Sequence, residues 1–152
     1  MNEIIFHYMI TISKAKPSEC QKVRHLEQKV WKEPGVTSQY DIAFFVSFGY
    51  VFVAKDKDKI VGAIVAIKTK DNEIKITDWV IDKKYRRMGI GSRLYAKLKK
   101  EAKELPLLAY VEASNEPSIH GHQKLGFKKV KKMKDPFYLG TTGDWWMLRC
   151  KQ

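Results

Sequence analysis

Apolar and polar residues alternate at the start of the chain, and Ile4, Phe6, Tyr8, Ile10 and Ile12 fall on one face of a strand over residues 4–12. Met9-Ile10-Thr11-Ile12 itself reads like a chain start, which would make residues 1–8 an N-terminal extension. Pro17 and Glu19 then open a helix, the proline suiting its first turn and the glutamate its dipole. Cys20, Val23, Leu26 and Val30 share one side of that helix, and Pro34-Gly35 ends the segment. A shorter helix over 38–48 stops at Gly49. β-Branched and aromatic runs at 50–54 and 60–67 flank the polar turn Asp56-Lys57-Asp58 and predict a hairpin. Asp71-Asn72 turns the chain into a fourth strand, 74–81.

A helical period returns with Ile90, Leu94, Leu98, Ala102 and Leu105, with lysines and glutamates opposite and Pro106 closing the run. Residues 107–111 form a short apolar strand. A helix from Pro117 to about Leu125 ends at Gly126, a glycine placed to take the left-handed conformation after a helix. Closing strands at 127–133 and 145–149 leave Gly140 and Gly143 in the loop between them. The order β-α-α-β-β-β-α-β-α-β-β predicts an α/β fold, a mixed sheet with helices on its faces. With no repeat and no Pro/Gly/Ser-rich divide, the 152 residues read as a single domain.

Composition narrows the function classes. No run approaches the ~18 apolar residues of a membrane-spanning helix, and residues 1–6 lack a basic segment and cleavage site for secretion. Cys20 and Cys150 match no CxxC pattern and read as two reduced thiols of a cytoplasmic protein. The balance of 29 Lys+Arg against 17 Asp+Glu gives a formal net charge of +12, a field that attracts anions. Most of the excess is lysine on solvated faces, as at Lys97, Lys99, Lys100 and Lys103 and from Lys128 to Lys134. No zinc finger, RNP motif or basic-zipper region is present, so specific nucleic-acid binding is disfavoured.

The chemistry concentrates in Val80-Ile81-Asp82-Lys83-Lys84-Tyr85-Arg86-Arg87-Met88-Gly89-Ile90-Gly91-Ser92, a strand, a basic glycine-containing turn and a helix start. Backbone N–H groups at a helix N-terminus lack intrahelical partners and hold phosphate oxygens. Gly89 and Gly91 remove the Cβ atoms that would keep the backbone off a pyrophosphate. Arg86 and Arg87 add charge and Ser92 a hydroxyl. A glycine turn alone is equally a tight strand–helix connection. The Walker motif is absent, and Leu94 stands where a GxGxxG fingerprint has its third glycine.

Arg86-x-x-Gly89-x-Gly91 resembles the acyl-CoA pyrophosphate signature [QR]xxGx[GA] of the GNAT superfamily of acetyltransferases. A second block, Val111 to Ser118 followed by Gln123-Lys124-Leu125-Gly126-Phe127, is similar to that family's V-x-x-x-N-x-x-[AS] segment ending in K-x-G-F. The resemblance covers most of the chain, the N-terminal third matching only in its order of elements. It implies a mixed, mostly antiparallel central sheet with helices on both faces. The activity implied is N-acetyl transfer from acetyl-CoA, the co-substrate, to a primary amine by direct attack in a ternary complex. Backbone groups near Val80 and Ile81 would pair with the pantetheine arm and supply an N–H to the thioester oxygen. Arg86, Arg87, Met88, Gly89, Ile90, Gly91 and Ser92 would hold the pyrophosphate. Asn115 would contact the cofactor's arm, and as an N-cap it also starts the following helix.

The pattern breaks where many members carry a tyrosine that protonates the leaving thiolate, because here that position is His122. An imidazolium can serve, giving turnover that falls at high pH; the alternative is a histidine that packs, with water as the acid. His120 lies on another face of the same helix, and the pair alone makes no metal site. Asp78, on the fourth strand, is the first candidate for general base, followed by Glu112 and then Glu73. Trp31, Trp79, Trp145, Trp146, Phe137 and Tyr138 are candidates for core and then for acceptor-pocket walls. The loop 135–144 is placed to cover the acceptor. That acceptor is a small-molecule or peptide amine, protein N-termini and lysines included. A silent CoA- or nucleic-acid-binding module is the alternative class, and homodimerisation stays open.

Overall fold

The structure, a computed structural model, describes residues 9–32 and 38–151. Strand β1 (Ile10–Lys14) leads through a 3-10 turn (Pro17–Glu19) into α1 (Cys20–Trp31), then α2 (Gln39–Phe48). β2 (Tyr50–Asp56), β3 (Lys59–Lys68) and β4 (Ile74–Ile81) form a meander. A 3-10 turn (Lys83–Tyr85), α3 (Ile90–Ala102), β5 (Leu107–Glu112), α4 (Glu116–Lys124), β6 (Lys128–Lys134) and β7 (Asp144–Cys150) complete the chain. The element order is the one the apolar periodicity predicts.

Several boundaries shift by a residue or two, and three differences have a clear structural cause. β1 occupies Ile10–Lys14, because its pairing with β2 runs on to Lys14 opposite Phe52. The predicted positions Ile4, Phe6 and Tyr8, and Pro34-Gly35, lie outside the described residues. Pro17 opens a 3-10 turn, and the α-helix itself starts at Cys20. Glu19 folds back to accept the Lys16 N–H at 2.8 Å and pairs with Lys55, tying the helix entry to β2. α3 ends at Ala102, where Lys103 turns left-handed with φ 55°, so Leu105 packs on the core from a turn.

The seven strands lie in the order β1-β2-β3-β4-β5-β7-β6, and only the β4–β5 neighbours are parallel. One core packs α3 and α4 on the sheet through Ile90, Leu94, Leu98 and Ile119. The other packs α1 and α2 on the opposite face through Val23, Leu26, Ile42 and Val46. Helices therefore cover both faces, as the two apolar stripes require. β6 is an edge strand whose lysines face solvent, and charge there opposes edge-to-edge pairing.

Two irregularities in β4 interrupt the regular sheet. Val65 pairs with Asp78 and Ala66 with Ile76, so Thr77 is the extra residue of a β-bulge. The bulge leaves Ile74, Ile76, Trp79 and Ile81 on the α3 side and turns Asp78 to the α1 side with Val80. β4 and β5 also pair for only three residues, Ile74–Leu107 to Ile76–Ala109, before they part. Beyond that point β4 stays on β3 to Ile81 and β5 on β7 to Glu112. The sheet splits open between them.

Candidate active site

The split forms two communicating lobes. The first, about 470 Å³, lies between the end of β4, the start of α3 and the outer side of α4. Trp79, Val80, Ile81, Arg86, Gly91 and Ser92 line one wall, and Gly121, His122 and Lys124 the other. The second, about 480 Å³, fills the gap between β4 and β5, with Thr77, Asp78 and Trp79 facing Tyr110, Val111 and Glu112. Trp31, Trp79, Ser118 and His122 line both lobes and mark their junction. A long ligand entering from the α3 end would bring its tip to these four residues.

At that end the backbone is shaped for an anion. Gly89 caps α3 with φ +73°, a left-handed conformation that side chains resist. The first intrahelical bond is Arg93 N–H to Gly89 O at 3.1 Å, so the N–H groups of Ile90, Gly91 and Ser92 precede the helical ladder. A Cβ on Gly89 would meet no protein atom within 4 Å, and one on Gly91 would only touch the Trp79 indole at ordinary contact distance, 3.7 Å. Packing at Gly91 therefore tolerates a small side chain, and the bare backbone leaves its N–H open to the hollow. Arg86, Arg87, Gly89, Ile90, Gly91 and Ser92 line a hollow of about 390 Å³ around this turn. Ile90 and Val80 have buried side chains and offer only backbone. Met88 sits on the turn but outside its lining, 41% exposed.

The turn is braced from behind by Asp82, a residue the sequence reading passed over. Its carboxylate is 2% exposed and accepts Lys29 Nζ at 2.7 Å and Lys84 N–H at 3.1 Å. Desolvation raises its pKa, but the Lys29 and Lys84 hydrogen bonds outweigh it and hold the carboxyl below its ordinary value. Tyr85 adds a bond from its hydroxyl to Asp56 at 2.7 Å. An aspartate among apolar and basic neighbours, just past a strand, was the available signal.

Asp78 is the dominant group of the second lobe. Burial pushes its pKa up to about 6, against the opposing pull of the Thr77 hydroxyl, 3.3 Å from Oδ2, and of the Lys75 charge. Lys75, on the same face, sits over the Phe137 ring at 4.0 Å and the Tyr110 ring at 5.3 Å, and burial lowers its pKa. Glu112 stands across the gap on β5, exposed at the rim. Glu73, the third acid considered, pairs with Arg149 and lies outside both lobes.

His122 is 7% exposed and held between the Trp79 and Phe127 rings, each 5.1 Å away and edge-on. Its Nδ1 lies 2.7 Å from the Ser118 carbonyl oxygen, which fixes the proton on Nδ1 in the neutral ring. Burial lowers its pKa more than that bond raises it. The expected fall of turnover at high pH needs an imidazolium, the form that burial disfavours here. Asn115 caps α4 by accepting the Ser118 N–H at 3.3 Å and lines the second lobe, not the first. Of the aromatic candidates, Trp31, Trp79 and Trp145 line the second lobe, Trp146 packs on the core and Phe137 backs Tyr110 and Trp145. Tyr138 does neither, at 94% exposure. The 135–144 loop is folded around Asp135, whose carboxylate accepts Leu139 N–H, Gly140 N–H and the Thr141 hydroxyl.

This architecture is widespread. Over 94% of both chains it is similar to the ribosomal-protein-S18-alanine N-acetyltransferase of Escherichia coli (21% identity, TM-score 0.77). The smu.2055 protein of Streptococcus mutans is 26% identical, with a TM-score of 0.81 over 93% of this chain and 98% of that one. Arabidopsis thaliana NAA60 in complex with acetyl-CoA also gives 0.81, at 16% identity over 94% and 99%. The first and last likenesses speak to fold alone. The family model of the acetyltransferase (GNAT) family matches residues 17–127, which takes in both α-helices of the N-terminal half, the split strands and the basic turn. The chain is therefore a member of the GNAT acetyltransferase family, whose transfers depend on acyl-CoA.

Proposed function

We propose that residues 1–152 form one cytoplasmic acetyltransferase domain that moves the acetyl group of acetyl-CoA to a primary amine of a small molecule or peptide. The observation that carries this reading is the meeting of two unlike lobes at Trp79 and His122: a basic, N–H-lined turn at the far end of one and a half-buried carboxyl in the other. Arg86 to Ser92 hold the pyrophosphate, with Lys124 facing them across the lobe. Val80 and Ile81 offer the pantetheine arm a backbone edge that β5 has vacated, and an N–H there polarises the thioester oxygen.

Asp78 takes the proton of the acceptor's ammonium, a task suited to a carboxyl poised near 6. The free amine attacks the thioester carbon, and the carbonyl electrons move to oxygen. When the carbonyl re-forms, the C–S bond breaks and sulfur leaves with its electron pair. His122 starts neutral, so it serves the sulfur by collecting on Nε2 the proton that nitrogen sheds after attack and passing it on. The test is thiol release from acetyl-CoA over a panel of amines and peptides against a buffer-only control, repeated with Asp78→Asn. Amine-dependent release that falls by ~10²–10⁴ in the variant supports the reading; release indifferent to amine and to Asp78 refutes it.

A further inference from the structure

Charge is partitioned between the two lobes. Among the described residues the cofactor end is lined by Arg86, Arg87 and Lys124 and by no carboxylate. The charged residues that line the second lobe, among the described residues, are Asp78 and Glu112, with no lysine or arginine in a chain that has 29 such residues. Glu112 pairs across the ladder with Trp145, so the carboxylate and the indole are neighbours at the rim. From there a groove of about 620 Å³ runs on past Thr141 and Asp144, sharing Glu112 and Trp145 with the lobe. Among the described residues no lysine or arginine lines that groove either; Lys132 reaches Asp144 from outside it, at 3.7 Å. Lys75, the cation nearest Asp78 on this face, is set on the Phe137 and Tyr110 rings and does not line the lobe.

A monoamine needs only one anion, and Asp78 supplies it. Glu112 with Trp145 as its cross-strand neighbour offers a second place for positive charge, where an ion pair can combine with a cation–π contact. We propose that the acceptor is a diamine or longer polycation: one amino group reacts at Asp78 while a second, still protonated, rests on Glu112 and Trp145. This assignment rests on the acetyltransferase reading above and makes Glu112 a specificity residue, not a base.

Three acceptors of one length separate the outcomes: 1,4-diaminobutane, n-butylamine and 4-aminobutanoate, whose distal groups are positive, neutral and negative. The wild type should favour the diamine over butylamine in kcat/KM by roughly three- to thirty-fold, with 4-aminobutanoate poorest. Glu112→Gln should lower the diamine far more than butylamine, and Glu112→Lys should reverse the order; a lost general base would depress all three alike. Equal kcat/KM for diamine and butylamine overturns the proposal. So does a preference for 4-aminobutanoate, which would assign the distal site to Lys75, or a diamine preference untouched by Glu112→Gln. Absence of thiol release with all three amines and with every peptide tried would count against the acetyltransferase reading itself, a separate failure. An acetyl-CoA thermal shift retained in both variants shows that they fold.

Discussion

At the residue scale the account turns on two desolvated titratable groups, the half-buried Asp78 and the buried His122. Folding raises the Asp78 pKa from 3.8 to about 6, so the folded chain holds more protons than the unfolded one between those values. Stability contributed by this group therefore falls as pH rises through that window and stays lower above it. The shift corresponds to at most about 3 kcal/mol, reduced by solvent screening because the side chain is only partly buried. Asp78→Asn should melt a few degrees above wild type at pH 8, with the gap closing toward pH 4; an unchanged difference across pH would show that the carboxyl is not desolvated. For His122, substitution by alanine should lower kcat by ~10²–10⁴ while acetyl-CoA binding survives. His122→Tyr should keep much of the activity, and the exposed His120 serves as a control. Near-wild-type turnover in His122→Ala would reduce the histidine to a packing residue between Trp79 and Phe127. The choice of Asp78 and His122 was legible from position and residue type. Their protonation was not, because it depends on burial by residues distant in sequence.

At the element scale the apolar periods placed most of the helices and strands, since their stripes have a core to fill; β6, lysine-rich and exposed, has none. The bulge had a visible signal: Ile74 and Ile76 keep one phase, while Trp79 and Ile81 resume it one residue late. The parting of β4 from β5 had none, because pairing between strands separated by a helix leaves no local pattern. The same holds for Asp82 and Lys29, partners 53 positions apart. The basic turn, by contrast, is a local motif and was readable as such. Acetyl-CoA should raise the melting temperature by mass action, and Gly89→Glu should abolish that shift through its strained φ and its charge. Gly91→Glu should do the same by filling the hollow, although packing at Trp79 would admit a smaller side chain. A shift that survives both substitutions would place the cofactor elsewhere.

At the scale of the whole molecule, the net charge of +12 conceals an arrangement. Lysines blunt the β6 edge, arginines gather at the basic turn, and among the described residues the charges lining the gap in the sheet are the acids Asp78 and Glu112. Composition gave the sign of the field but not this division, which the order of the strands creates. The acid–base economy of the proposed transfer lies in that gap. The most direct measurement is thiol release from acetyl-CoA with a diamine acceptor, followed from pH 5 to 9 in wild type and Asp78→Asn. If Asp78 is the base, wild-type kcat/KM should rise through a pKa near 6 and show no histidine-dependent fall above it. The asparagine variant should lose ~10²–10⁴ in rate and also lose that rise. A variant with the wild-type rate and the same pH profile would contradict the account at its centre.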